Sequence, residues 1–317
     1  MVTIASQLPE PFNDAVRALL GDTDTRVIGI PRGVPDALPD GASILVAAPI
    51  IVRGAQAPEH APAGWPFDLR WVQLGSSGID FYPRWFFDGP PVTTARGTAS
   101  QAIAEFVLAA IFAHAKRLSE IWIHDAQQWR MAPLASVQGS TVGIFGFGSI
   151  GEAVAQKALA LGAQVVAVRR RASAKSTVPG VTFVADIGEL VRQADHLVLA
   201  APATASTRQI VDRALLRHAK PGLHLINVAR GSLIDDNALL EALDDGSLGA
   251  ASLDVTEPEP LPAGHPFYTH PRVRLSPHTS AIGPQNTVEL ARKFVRNFTA
   301  FSAGADLEDL VDIRQGY

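Results

Sequence analysis

Arg230, Glu259 and His278 are residues whose types, taken together, can hold an acid and move a proton. Histidine exchanges protons near neutral pH. A carboxylate beside it fixes the ring's orientation and favours the imidazolium. Arginine presents a planar fork of donors that grips a carboxylate at two points. Each also has a plain structural explanation: Arg230 as a surface ion pair, Glu259 in "DVTEPEPLP" as a solvated loop residue, His278 in "LSPHTS" as a satisfied structural histidine. Position is what joins them. Each follows a strand-like run, at 223–227, 249–253 and 273–275. Ligands of open α/β sheets bind beyond the carboxyl ends of the strands, so groups far apart in sequence can meet there.

Those runs belong to a longer alternation that begins near Ser140. Residues 141–145 read as a strand, and 149–161 as a helix closed by Gly162 in a left-handed cap. Strands follow at 164–168 and 196–200, then a helix ending near Lys220, the strand 223–227, a helix from about Asp236, and the strands 249–253 and 273–275. Strand, helix, strand at this spacing predicts parallel pairing with right-handed crossovers. Upstream, 26–30, 43–48 and 70–74 read as strands of a smaller α/β unit, with proline-rich loops at 33–41 and 55–66. Residues 98–120 place Ile103, Phe106, Val107, Ala110, Ile111, Ala113 and Leu118 at helical spacing, which predicts one long buried helix. Thr98 and Gln101 fit a capping box at its start. Residues 121–137, with Trp122, Trp129 and Pro133, read as a connecting arm, and 285–302 as a closing helix.

"TVGIFGFGSIGEAVAQ" carries Gly146, Gly148 and Gly151 as G-x-G-x-x-G between a strand and a helix. In that context the first glycine makes the tight turn and the second lets a pyrophosphate approach the backbone. The third allows close helix–strand packing, and the helix start attracts the phosphates. The plain alternative is a strand-to-helix turn. The next strand ends in "VVAVRRR", where an NAD site usually offers an acid for the ribose hydroxyl. Arg169 and Arg170 stand there instead and suit a 2′-phosphate, so NADP(H) is favoured over NAD(H). A solvated basic turn is the bland reading of the same run. Reduction of a 2-keto acid needs a hydride from a dinucleotide, a proton from the protein, and a cation on the substrate carboxylate. The glycine loop, His278 with Glu259, and Arg230 match those needs.

Over most of its length the chain resembles the D-isomer-specific 2-hydroxyacid dehydrogenases. The resemblance is carried by "LGSSGID", "TTARGTASQAIAEFVLAAIFAHAKR", "VQGSTVGIFGFGSIG", "APATASTRQIV", "LINVARGSLIDDNALLEALDDGSLGAASLDVTEPEPLP" and "VRLSPHTSA". It implies an α/β fold of two Rossmann-like domains, each a parallel sheet flanked by helices. A dinucleotide-binding domain, 97–283, would be inserted in a substrate domain, 1–96 with 284–317, and closure of the cleft would exclude water. It implies Arg230 as substrate anchor, Glu259 as partner of the histidine, and His278 as general acid/base. The backbone amides of Ser76, Ser77, Gly78 and Ile79 would receive the substrate carboxylate. Ser149 and Ile150 would join the loop glycines at the cofactor. Ala201, Pro202, Thr207, Val228, Ala229, His278 and Ser280 would flank it, and Asp254 would hold the nicotinamide amide. A homodimer joined through 98–138 is implied too. Within the family, formate dehydrogenases carry glutamine where this chain has Glu259, so proton transfer to a small keto acid of the glyoxylate or hydroxypyruvate type is expected. A short phosphoglycerate dehydrogenase, and a dinucleotide-sensing binding protein of the corepressor type, are the alternatives; with "LEDLVDIRQGY" at the close of the sequence, a C-terminal regulatory domain is not expected.

Composition bounds these readings. The 317 residues are 47% hydrophobic and 18% charged, with a formal net charge of −4, which points to neither nucleic acid nor an anionic membrane. The absence of cysteine excludes disulfides, thiolate chemistry and cysteine zinc sites, and no metal is expected. "MVTIASQLPEPF" does not read as a signal peptide, and the most apolar stretch, 102–115, is broken by Glu105, so a soluble cytoplasmic protein is expected.

Overall fold

The computed structural model describes residues 1–51, 56, 58–169 and 178–314. The chain divides into two compact units, Met1–Ala99 with Ile282–Tyr317, and Ser100–Ala281. These boundaries lie a few residues from the expected ones, because the connecting helix starts at Ser100.

In the first unit, β1 (Val2–Ser6), α1 (Glu10–Leu20), β2 (Thr25–Gly29), β3 (Ala42–Ala47), β4 (Trp71–Leu74) and β5 (Val92–Thr93) build a parallel sheet in the order β2-β1-β3-β4-β5. The sequence reading found β2, β3 and β4 and passed over β1 and α1. No turn signal announces β1 at the chain's start, yet it pairs with both β2 and β3. The helix α1 is amphipathic, burying Phe12, Val16 and Leu20 four residues apart. The closing helix Pro284–Ser302 returns to this unit and lays Phe294 flat on Trp71, with ring centres 5.2 Å apart. Its buried Lys293 donates to the Arg96 carbonyl (2.7 Å) and to the Asp309 carboxylate. The buried charge is thus paired and hydrogen-bonded, as desolvation demands.

The second unit contains α2 (Ser100–Ala115), α3 (Leu118–Ile121), β6 (Thr141–Phe145), α4 (Ser149–Ala160), β7 (Gln164–Val168), β8 (Val181–Phe183), α5 (Ile187–Gln193), β9 (His196–Leu199), α6 (Arg213–Leu216), β10 (Leu223–Asn227), α7 (Asp236–Asp244), β11 (Leu248–Leu253) and β12 (Val273–Leu275). Its strands are parallel, in the order β12-β11-β10-β9-β6-β7-β8. The chain runs outward from β6 through β7 and β8, then returns to β6's other side with β9. That reversal makes a topological switch point, where a crevice opens at the carboxyl ends of the strands. Three expectations change here. The single helix over 98–120 is two, because Arg117 takes a left-handed φ of 48° between α2 and α3. Thr98 forms no capping box: its hydroxyl turns back to the Ala95 carbonyl (2.9 Å). The helix expected to end near Lys220 shrinks to the four residues of α6, while β8 and α5 lie in a stretch left unread. Among the described residues no helix is long and apolar enough to cross a membrane.

Three imidazoles pack together inside this unit. Nδ1 of His196 on β9 meets Nδ1 of His224 on β10 at 3.2 Å, and Nε2 of His224 meets the Ser252 hydroxyl at 2.9 Å. His114 of α2 stacks on His224 with ring centres 4.4 Å apart. Burial, reinforced by the neighbouring His114, pushes His196 down to about 4 from its ordinary 6.5. Burial lowers His224 and His114 as well. Asp195 opposes the shift at His196, whereas Arg274 adds to the lowering at His114 and Glu120 opposes it. Between those two pH values the unfolded chain binds a proton that the folded cluster refuses. Stability is therefore full above about pH 6.5 and falls as the pH drops toward 4, by about 3 kcal/mol from His196 alone. Urea midpoints measured across this window should fall with pH in the wild type, and less steeply in His196→Phe. Parallel curves for the two proteins would refute the assignment.

Candidate active site

The glycine loop leaves β6 and enters α4. Gly146 adopts φ 103°, and a Cβ there would come within 3.0 Å of the Ala200 and Ala201 backbone at the end of β9. A Cβ on Gly151 would likewise crowd the Gly146 carbonyl. Only glycine satisfies both the left-handed turn and the close approach. The cap residue of α4 is Gly148, which supplies no side-chain acceptor, and the first helical bond runs from the Glu152 amide to the Gly148 carbonyl (2.8 Å). The amides of Ser149, Ile150 and Gly151 therefore lack helical acceptors and form a ready anion cradle. Beside it, the Thr207 hydroxyl donates to the Pro202 carbonyl (2.8 Å) and accepts from the Thr204 amide (2.8 Å), closing the turn that follows Ala201. These residues fit the pyrophosphate of a dinucleotide. At the end of β7, where an acid would accept from the ribose, Arg169 lies over the Phe183 ring. The companion expectation, Arg170, falls outside the described residues.

Arg230, Glu259 and His278 follow β10, β11 and β12 respectively, at the carboxyl ends of adjacent strands. Asn227, fully buried at the end of β10, shapes the first turn. Its amide nitrogen donates to the Arg230 carbonyl (2.8 Å), and its amide oxygen accepts from the Ala229 backbone (3.0 Å). Val228 and Ala229 are thereby held as a buried wall. One Arg230 guanidinium nitrogen donates to the Ala229 carbonyl (2.6 Å). The next residue, Gly231, packs so tightly on the Thr256–Glu257 backbone that a Cβ would overlap it. The Thr256 amide then donates to Oε1 of Glu259 (3.1 Å), and Oε2 of Glu259 lies 2.8 Å from Nδ1 of His278. One continuous chain of contacts thus runs from Arg230 to the imidazole.

Asp254 anchors the histidine's loop. It is 1% exposed, and its carboxylate accepts from the Ser276 hydroxyl (2.6 Å), the Thr279 amide (2.9 Å) and the Ser280 amide (3.1 Å). Its backbone carbonyl receives the His278 amide (2.9 Å). Burial acts to raise this acid, but the hydroxyls and amides around it outweigh burial and hold it below its ordinary value. Those bonds sustain a left-handed φ of 50° at His278, which costs a non-glycine residue on the order of 1 kcal/mol. The nicotinamide amide expected as a partner of Asp254 would meet a carboxylate that these protein donors already engage. Ser76, Ser77, Gly78 and Ile79 belong to the first unit, after β4. The Ser76 hydroxyl donates to the Gly78 carbonyl (2.8 Å), and the Ser76 carbonyl accepts from the Ala95 amide (2.9 Å).

Sequence reasoning passed over Asn227, Thr256 and Ser276. Asn227 carried a signal, since a polar residue closing an apolar strand must find partners. Thr256 acts through its backbone amide, which side-chain identity does not betray. The packing of Gly231 yields a direct prediction. Gly231→Ala should displace Arg230 from the Glu259 segment and lower kcat/KM by about 100-fold, the scale of an ångström's misplacement. Steady-state kinetics check this; a variant with wild-type kcat/KM would show that the tight packing is not what positions the arginine.

The chain is similar to known proteins in both sequence and fold. Residues 108–280 match the family model described as D-isomer specific 2-hydroxyacid dehydrogenase, NAD binding domain. The chain is 34% identical over 242 residues to a glyoxylate/hydroxypyruvate reductase A of Serratia proteamaculans, covering 74% of this chain and 75% of that protein. It is 32% identical over 234 residues to a glyoxylate reductase of Aeropyrum pernix, covering 70% and 69%. Among solved structures, a D-isomer specific 2-hydroxyacid dehydrogenase family protein of Aeromonas salmonicida superposes with a TM-score of 0.81 at 28% identity, covering 98% of each chain. A Xanthobacter autotrophicus D-isomer specific 2-hydroxyacid dehydrogenase in complex with NADPH and MES gives 0.80 at 26% identity, covering 100% of this chain and 99% of that one. The fold and site define an α/β oxidoreductase built around a dinucleotide crevice. This chain belongs to the D-isomer specific 2-hydroxyacid dehydrogenase family. It is an NAD(P)-dependent oxidoreductase of 2-hydroxy acids.

Proposed function

We propose that the protein reduces a small 2-keto acid of the glyoxylate or hydroxypyruvate type, with NADP(H) as the favoured cofactor and His278 as the general acid. The observation that carries this reading is the 2.8 Å contact between Nδ1 of His278 and Glu259, reached from Arg230 through the packed Gly231–Thr256 segment. An ionised carboxylate can only accept, so Nδ1 bears the proton of that bond and Nε2 is the atom that exchanges. In the reductive direction Nε2 gives its proton to the carbonyl oxygen, and Glu259 faces the imidazolium before that transfer. Arg230 grips the substrate carboxylate and draws charge from the neighbouring carbonyl. Reduced nicotinamide, when bound, supplies the hydride, so a keto acid gains one hydride and one proton and becomes a hydroxy acid. The amides of Ser149, Ile150 and Gly151 hold the pyrophosphate. Arg169, in the place of the usual acid, supports the choice of NADP(H). The relatives named for glyoxylate and hydroxypyruvate support the substrate class.

A homodimer is part of the same reading. Trp122, Trp129 and Met131 are exposed together on the arm, which suits a surface covered by a second copy. The test of function is a panel of glyoxylate, hydroxypyruvate, pyruvate and a bulky aromatic keto acid, assayed with NADPH and NADH at the nicotinamide absorbance band. The two small substrates with NADPH should turn over fastest. Absence of cofactor oxidation with every keto acid would remove the enzymatic proposal, and a preference for NADH would remove the NADP(H) assignment alone.

A further inference from the structure

Phe183 occupies β8, the edge strand of the second unit's sheet. Parallel pairing sets it beside Ala167 of β7. Side chains two apart on a strand share a face, so Arg169, two residues beyond Ala167, emerges on the side that Phe183 covers. The guanidinium carbon of Arg169 lies 3.9 Å from the centre of the Phe183 ring. The ring makes a second contact. Phe147, the residue between the first two glycines of the phosphate loop, meets Phe183 edge-on, with ring centres 5.0 Å apart and planes at 87°. All three side chains are half-buried. One aromatic therefore touches both parts of a dinucleotide site, the loop that takes the pyrophosphate and the position that reads the ribose.

We propose that Phe183 is a specificity-determining residue: by stacking under Arg169 it pre-sets the guanidinium for the 2′-phosphate of NADP(H). The inference rests on the NADP(H) reading above and assigns discrimination to a side chain outside the glycine loop and outside the usual acidic position. The physical reason is preorganisation. A long, solvated arginine loses rotamer freedom when it binds an anion, and an arginine already held on a ring loses less. A planar guanidinium stacked by its face keeps its edge donors directed sideways, where phosphate oxygens bind. The stack itself is attractive, more so where partly desolvated. Edge contact with Phe147 fixes the ring's plane, which couples the arginine's position to the loop.

The test compares adenosine 2′,5′-bisphosphate with adenosine 5′-monophosphate by calorimetry on the full chain. The two probes differ only in the 2′-phosphate. The wild type should bind the bisphosphate at least about tenfold more tightly, and Phe183→Leu should reduce that ratio by about tenfold, while affinity for the monophosphate changes by less than about twofold. Phe183→Trp should retain the ratio. Arg169→Lys, which keeps the charge and leaves the strand's apolar face untouched, should lose as much as Phe183→Leu, and the double variant should lose little more. A wild-type ratio near one overturns both the NADP(H) reading and the role of Phe183. A high wild-type ratio that survives Phe183→Leu overturns the role of Phe183 alone. If Phe183→Leu fails to fold, a full ratio in Arg169→Lys overturns it equally, because stacking would then be dispensable.

Discussion

His278→Asn is expected to lower kcat for keto-acid reduction by about 1,000-fold, within the range that general acid catalysis contributes. The substrate's KM should change little, because carboxylate binding is assigned to Arg230. Asparagine keeps comparable bulk and removes only the group that cycles its proton. The variant should also keep its loop, since the bonds that hold residues 276–280 converge on Asp254 and use backbone amides and the Ser276 hydroxyl, not the imidazole. Binding of NADPH, followed by its fluorescence, should therefore match the wild type. Glu259→Gln should lose less, about 10- to 100-fold in kcat. Glutamine can still accept from Nδ1 but removes the negative charge that the imidazolium faces. Steady-state kinetics with a small keto acid decide the matter. An asparagine variant retaining more than about a tenth of wild-type kcat would falsify the assignment of the proton donor.

Arg230→Ala should lose about 3 kcal/mol of transition-state binding, more than 100-fold in kcat/KM, expressed chiefly as a raised KM. Arg230→Lys should recover little, since one ammonium cannot reproduce the planar two-point grip. The control is a carbonyl substrate without a carboxylate, such as glycolaldehyde. It should be poor for the wild type and lose far less in the alanine variant, because the carboxylate grip is absent for this substrate and only the weaker pull on its carbonyl is removed. Equal losses on charged and neutral substrates would mean that Arg230 maintains local structure instead. Its backbone is held independently by Asn227 and by the packing of Gly231, so the side chain is separable from the turn that bears it.

These two predictions share a feature of the fold. Three adjacent parallel strands end in loops, and each loop delivers one side chain of the proposed site. The sheet supplies the spacing, and small devices supply the aim: Asn227 under Arg230, the Thr256 amide on Glu259, and the buried carboxylate of Asp254 under His278. The left-handed φ at His278 persists because that network over-determines the loop.

Much of this was legible in the residues. The strands β6, β7, β10 and β12 could be read within a residue or two, because continuous β-branched and leucine runs bounded by glycine, aspartate or proline have few other readings. The glycine loop was legible because its residues obey a backbone constraint that no other residue type meets. Arg230, Glu259 and His278 could be proposed together because their chemistry belongs to side chains and each follows a strand. Where the reading failed, the deciding forces were non-local. The helix over 98–120 is interrupted at Arg117, a residue whose type gives no notice of a left-handed turn. β1 and β8 exist through pairing with distant partners. The contacts of Glu259 with the Thr256 amide, of Asp254 with the backbone of residues 279 and 280, and of Phe183 with Arg169 depend on register and loop closure. Composition and spacing therefore specified which groups are present and at which end of a sheet they emerge. Their hydrogen-bond partners, and the histidine trio between the sheet and α2, came from packing, because such contacts join atoms many residues apart whose approach no local pattern encodes.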